Sequence, residues 1–336
     1  MSSPSAHPLL RRALAALATG LLLSCAGDFE VCEPVAAASL AAMPQRLSDT
    51  GLFADGSMTV LAEGVKPFTP WFPLWTDGAT KRRWIRLPPG ARIDTSDMDD
   101  WQFPQGTRLW KEFTRDGVRV ETRLLEKAGP RPEDWRAVAY VWLQDQSDAV
   151  ATPAGQRDAN GTPHDVPASA DCFGCHGGTR SRVLGFSAIQ LSQASPPDHL
   201  DLEDLIASGA LTQPPSAPFT VPGNDVERAS LGYLHANCGH CHNLRRPESE
   251  GARCYAPLND LDFRLQVGRL GSPGETPTYR TGNSAAFNPR KPDSSRMIKR
   301  ISQREPGWSM PLLGTELVDK DAVTLLRRWI SEMEDD

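Results

Sequence analysis

The sequence predicts an α+β chain of several domains, with an N-terminal antiparallel β sandwich or barrel-like domain followed by two small α-helical modules. Three observations predict it. Strand-like runs and seven of the nine tryptophans fall between residues 45 and 165. Helix periodicity appears in the second half of the chain. The 27 Gly and 29 Pro among 336 residues break the chain too often for a long bundle or solenoid. At about 150 residues per domain, this length corresponds to two or three domains.

The elements follow in order. His7, Arg11 and Arg12 precede an apolar run from Ala13 to Leu23, too short to span a bilayer and of the right length for a signal-peptide core. Leu22-Leu23-Ser24-Cys25 closes it and resembles a bacterial lipobox, which makes residues 1–24 a lipoprotein signal peptide and Cys25 the lipid anchor. Residues 25–44 are small and Ala-rich and read as a tether. In residues 45–165 the strand candidates are Lys81–Leu87, Arg108–Phe113, Arg119–Leu125 and Trp135–Leu143. Arg115-Asp116-Gly117 marks a hairpin turn between the middle two. The tryptophans of this segment are read as its core.

Residues 166–225 contain a short helix, Leu200–Ala207, with Asp198 as its cap and Gly209 as its stop, and then a linker of four prolines. Residues 226–336 carry three helices: Asp225–Asn237, Ser294–Ser302, and Asp319–Met333 with Val323, Leu326, Trp329 and Ile330 on one stripe. Hydrophobic content of 39% and charged content of 23% are those of a folded protein. The net charge of −6 leaves no clustered basic footprint for nucleic acid.

The cysteines carry the chemistry. Four of the seven lie in Cys172-Phe173-Gly174-Cys175-His176 and Cys238-Gly239-His240-Cys241-His242. C-x-x-C-H is the attachment pattern of c-type haem. Two thiols reach the two vinyl groups of a porphyrin, and the next residue sets an imidazole under the iron. One helical turn brings positions 1, 4 and 5 to a common face. A Cys₄ zinc site or a redox dithiol would use the four thiols but would leave both histidines unexplained. The reading is therefore two covalently bound haem c groups, with His176 and His242 as proximal iron ligands.

The C-terminal segment resembles a small cytochrome c domain. That family places a Met-Pro ligand loop roughly 60–70 residues after the haem motif, then a closing helix with an aromatic residue. Here Met310-Pro311 follows His242 by 68 residues, and Trp329 follows Met310 by nineteen. The resemblance makes Met310 the distal ligand of the second haem and sets Leu234 against the last helix. Met297, the competing thioether, lies on a helix with core periodicity. For the first haem the distal candidates are His199 and His164, with an open sixth position as the alternative. His235 and His240 are further imidazoles near the second motif.

A wider resemblance covers most of the chain. Leu47-Ser48-Asp49-Thr50-Gly51-Leu52-Phe53, Pro73-Leu74-Trp75-Thr76-Asp77-Gly78-Ala79, Lys81-Arg82, Glu121-Thr122-Arg123, Tyr233-Leu234-His235-Ala236-Asn237-Cys238 and Ser294-Ser295-Arg296-Met297 are similar to a family of exported bacterial dihaem c-type cytochromes. In that family a β-rich module precedes the haem regions, and the two α-helical modules here are expected to be cytochrome c-type haem modules. Dihaem peroxidases share two motifs and a late Met, but place the motifs further apart than the 66 residues between Cys172 and Cys238.

The functional expectation is a membrane-anchored electron carrier of the bacterial envelope, facing the periplasm or the exterior. Its partners are an unidentified redox donor and acceptor. The alternative is a haem enzyme with an open first iron and a substrate held by the N-terminal domain. Cys32 and Cys254 remain after haem and lipid thiols are assigned. They form either a disulfide, as leftover cysteines in exported proteins usually do, or two free thiols too far apart to meet.

Overall fold

The computed structural model describes residues 43–54, 56–247 and 260–334. The signal peptide, nearly all of the tether, Cys25, Cys32 and Cys254 lie outside the described residues. The architecture is α+β. Six antiparallel strands form one sheet in the order of the chain: β1 (Lys66–Pro67), β2 (Thr80–Arg86), β3 (Arg108–Arg115), β4 (Val118–Lys127), β5 (Trp135–Trp142) and β6 (Ala149–Ala151). The β3–β4 hairpin turns on Asp116 and Gly117, with φ of 50° and 82°. A two-residue hairpin loop of this kind requires positive φ at both positions, and Asp-Gly supplies it at low cost.

Strand alternation divides the apolar residues between two cores. Trp84, Trp110, Leu124, Val138, Tyr140 and Trp142 pack with Met43, Leu47, Leu52, Phe53 and Val65. The buried indoles keep their hydrogen bonds: Trp110 Nε1 donates to Thr50 Oγ1 and Trp142 Nε1 to Thr122 Oγ1, both at 3.1 Å. Ile85, Leu109, Leu125, Trp135 and Ala137 point the other way. They pack with Val183, Phe186, Leu191, Leu202, Leu205 and Leu211.

This arrangement corrects the expected sandwich or barrel. Among the described residues there is one open meander sheet, and the second layer on each face is irregular chain and short helix. The segment after residue 165 supplies the apolar cover that a second sheet would otherwise give, so the sheet and the segment 166–225 share one core.

Six helices are described: α1 (Cys172–His176), α2 (Leu202–Ala207), α3 (Asp225–Asn237), α4 (Pro277–Gly282), α5 (Arg296–Ile301) and α6 (Lys320–Glu332). Helix α2 starts later than its sequence periodicity and is capped by Asp201, whose carboxylate accepts from Asp204 N at 3.0 Å. Asp198 is not the cap. Leu200 is drawn away because its N–H donates to Pro67 O at the end of β1. Helix α5 is shorter than Ser294–Ser302, because Pro292–Ser294 forms a 3₁₀ turn before it. Asn224 caps α3 by accepting from Val226 N and Glu227 N, and Glu227 Oε2 accepts from Asn224 N.

Helices α3 and α6 close the C-terminal core. Leu231 and Leu234 meet Leu326, Trp329 and Ile330, with Phe287 and Trp329 edge to face at 4.9 Å. Phe72, from the segment between β1 and β2, enters this same core. A Cβ at Gly232 of α3 would lie 2.0 Å from the Phe72 ring, so only glycine lets the ring seat there. No helix among the described residues is long and apolar enough to cross a membrane.

Candidate haem-attachment site

Each motif is positioned differently. Cys172–His176 is the whole of α1. Its histidine is oriented from outside the helix, since His176 Nδ1 donates to Arg182 O at 2.7 Å. Arg182 adopts φ 59°, the left-handed region that a side-chain-bearing residue takes up at a cost, and its guanidinium donates to Gly177 O at 2.6 Å. The strained residue thus fixes the imidazole tautomer and leaves Nε2 as the ring's acceptor, as a metal-ligating histidine requires. Burial pushes His176 down to about 3, so the ring is neutral.

The second motif is continuous with α3. Cys238 N and Gly239 N both donate to Leu234 O, and His242 N donates to Cys238 O at 2.8 Å. Phe263 stands edge-on to His242 at 5.6 Å and donates its N–H to the His242 carbonyl. Cys238, Cys241, His242, Met297 and Met310 all border one cavity of about 240 Å³. The Met310 loop is pinned to it, as Met310 N donates to Arg300 O at 2.9 Å and Arg304 donates to Pro311 O at 3.0 Å. Met297 is buried in the C-terminal core as well as bordering the cavity.

The donor set fits haem c. Two thiols, an imidazole and a thioether share the cavity wall. The indole Nε1 of Trp75 is buried on the same wall without a partner, a donor suited to an oxygen of a bound group. Burial raises the thiols of Cys238 and Cys241 to about 12 and that of Cys172 to about 11. A redox dithiol is activated by the opposite shift. Among the described residues no three His, Cys, Asp or Glu side chains converge as a metal cage. A porphyrin iron needs only two axial donors from the chain.

The structure brings the two motifs into contact. Asn243 Nδ2 donates to Gly178 O at 3.1 Å and to Gly239 O at 2.7 Å. A Cβ at Gly178 would fall 1.6 Å from the His240 carbonyl, so no side chain fits between them. Cys175 borders the same cavity as Cys238 and Cys241. His240, one of the further imidazoles, is buried with Nδ1 unpartnered, while His235 Nδ1 accepts from Leu265 N at 3.0 Å.

The two candidate distal histidines are engaged elsewhere. His164 Nε2 bonds Glu121 Oε1 at 2.7 Å, and His199 Nδ1 bonds Thr69 Oγ1 at 2.8 Å. Sequence reasoning missed the charged residues around the first motif. Glu121 is fully buried and takes two hydrogen bonds from Arg123, at 2.6 and 2.9 Å. Arg83, Lys111 and Arg123 lie side by side across β2, β3 and β4. Their signal was present as basic residues at inward-facing strand positions, but only strand register shows that they align.

Comparison with known proteins finds no family model, curated protein or solved structure that matches this chain.

Proposed function

We propose that this protein is a dihaem c-type cytochrome that passes single electrons between redox partners of the bacterial envelope, held at the membrane by a lipid on Cys25. One observation carries the reading: two C-x-x-C-H segments pack against each other beside a cavity bordered by Cys238, Cys241, His242 and Met310. Cys172 and Cys175 would hold one haem and Cys238 and Cys241 the other, with His176, His242 and Met310 as the side chains that would bind iron. Haem supplies a one-electron couple between ferrous and ferric iron.

The chain's own residues orient and insulate. Arg182 aims the His176 ring, Phe263 buttresses His242, and the apolar core of α3 and α6 backs the second site. Close contact between the motifs favours a relay over two independent centres.

Mature protein isolated with its cofactors tests this. Its mass should exceed that of the lipidated chain by two haems, and a denatured band should stain for haem. One haem or none overturns the reading. A second reading, in which the first iron is open to a small ligand, is favoured by the engagement of His164 with Glu121 and of His199 with Thr69. Carbon monoxide added to the reduced protein separates the two: a spectral change at one haem favours the open site, and none favours the carrier.

A further inference from the structure

The face of the sheet that carries the first motif has an unusual charge pattern. Arg83 of β2 pairs in register with Lys111 of β3, which pairs with Arg123 of β4. Like charges directly opposite one another destabilise a sheet unless something compensates. Arg123 is compensated by Glu121, which also binds His164. Lys81, one register step away, donates to Leu74 O. The side chains of Arg83 and Lys111 have no hydrogen-bond or ion-pair partner among the described residues; Arg83 is 7% exposed and Lys111 half-buried, and their nitrogens still reach accessible space. Burial, together for Lys111 with repulsion from its neighbours, lowers Arg83 to about 10 and Lys111 to about 7. The row lies on the sheet face of Ile85, Leu109 and Leu125, whose core also packs Cys172 and Phe173, and Lys111 and Arg123 act electrostatically on Cys175 and His176.

We propose that Arg83 and Lys111, backed by Arg123, form a carboxylate-binding site against the first motif. Two cations side by side with no carboxylate partner match two carboxylate groups or one dicarboxylate, each held by charge-assisted hydrogen bonds. The carboxylates have two sources: the two propionates of a haem at Cys172 and Cys175, or a free carboxylate that reaches the site from outside. The first source rests on the haem reading above; the second does not.

The experiment uses the holoprotein with Lys111→Met, Arg83→Gln and the charge-keeping Lys111→Arg. Peptide mass mapping first establishes whether Cys172 and Cys175 carry haem in each variant. Resonance Raman then reads the propionate bending mode, and calorimetry reads the binding of succinate as a free dicarboxylate probe. If propionates are the occupant, Lys111→Met and Arg83→Gln shift the bending mode of one haem and lower its midpoint potential, Lys111→Arg restores both, and succinate does not bind. If a free carboxylate is the occupant, the wild type binds succinate, Lys111→Met weakens binding at least tenfold, and the bending mode stays put. A wild type that lacks haem at Cys172 and Cys175 refutes the haem reading alone, and succinate then decides the site. An unchanged bending mode together with no succinate binding overturns the proposal.

Discussion

Cys172–His176 is an isolated turn of helix against a charged sheet face, whereas Cys238–His242 extends a thirteen-residue helix into an apolar core. The first histidine is aimed by a left-handed arginine, and Lys111 and Arg123 act on it electrostatically. The second stands beside Phe263, and its cavity also presents Met310. The same five-residue chemistry thus sits in two electrostatic environments. The lesson is that the motif writes the ligand chemistry locally, while the scaffold sets the electrostatic surroundings of that chemistry. On the haem reading, the charged row would tune one site and the Met310 thioether the other.

The largest test of this contrast is Met310→Ala. It should abolish the sulfur-to-iron charge-transfer absorption of one ferric haem and lower that haem's potential, leaving the other unchanged. A spectroelectrochemical titration reads both. An unaltered spectrum would move the ligand to another residue, with Met297 next.

Trp329→Ala should weaken only the C-terminal frame. Trp329 is 1% exposed and packs on Phe287 and Tyr279, so truncation should cost about 3–5 kcal/mol. Urea denaturation followed at each haem separately should show the second site released first.

Glu121→Gln should weaken only the sheet side. Burial by itself would raise the Glu121 carboxyl, but Arg123 and the His164 hydrogen bond outweigh it and hold it below its ordinary value. A depressed folded value means that the ionised carboxylate stabilises the fold above the ordinary glutamate range, and that this is lost as pH falls through the lowered value. The variant should therefore lose about 2 kcal/mol at neutral pH, less than a fully buried pair because Arg123 is 32% exposed. Its stability should also fall less steeply on acidification. Thermal melts across the acid range check both slope and offset.

The smallest expected effect is Asn224→Ala, which removes the cap of the helix that delivers the second motif. About 1 kcal/mol of stability should go, with the first haem's spectrum untouched. A change at the first haem would mean that α3 governs both sites.

Much of the local structure was legible. The Asp-Gly turn, the four long strands, helix α3 to its ends and the Leu326–Trp329–Ile330 stripe follow from periodicity and turn chemistry. The misjudged start of α2 shows the limit. Asp198 and Asp201 are both competent caps, and the choice fell to Pro67, a residue far away in sequence that claims the Leu200 N–H.

By itself, the sequence determined the spacing of thiols and imidazole in each motif, because that chemistry is written within five consecutive residues. It also determined the alternation that puts Trp84, Trp110 and Trp142 on one face of the sheet and Trp135 on the other. Only the tertiary structure decided that the sheet stays an open meander, that Gly178 meets His240, and that Arg83, Lys111 and Arg123 align beside the first motif. Those outcomes depend on strand register and on the packing of segments far apart in the chain. Which cation ends beside which thiol is fixed by that three-dimensional competition for cover, and no local pattern encodes it.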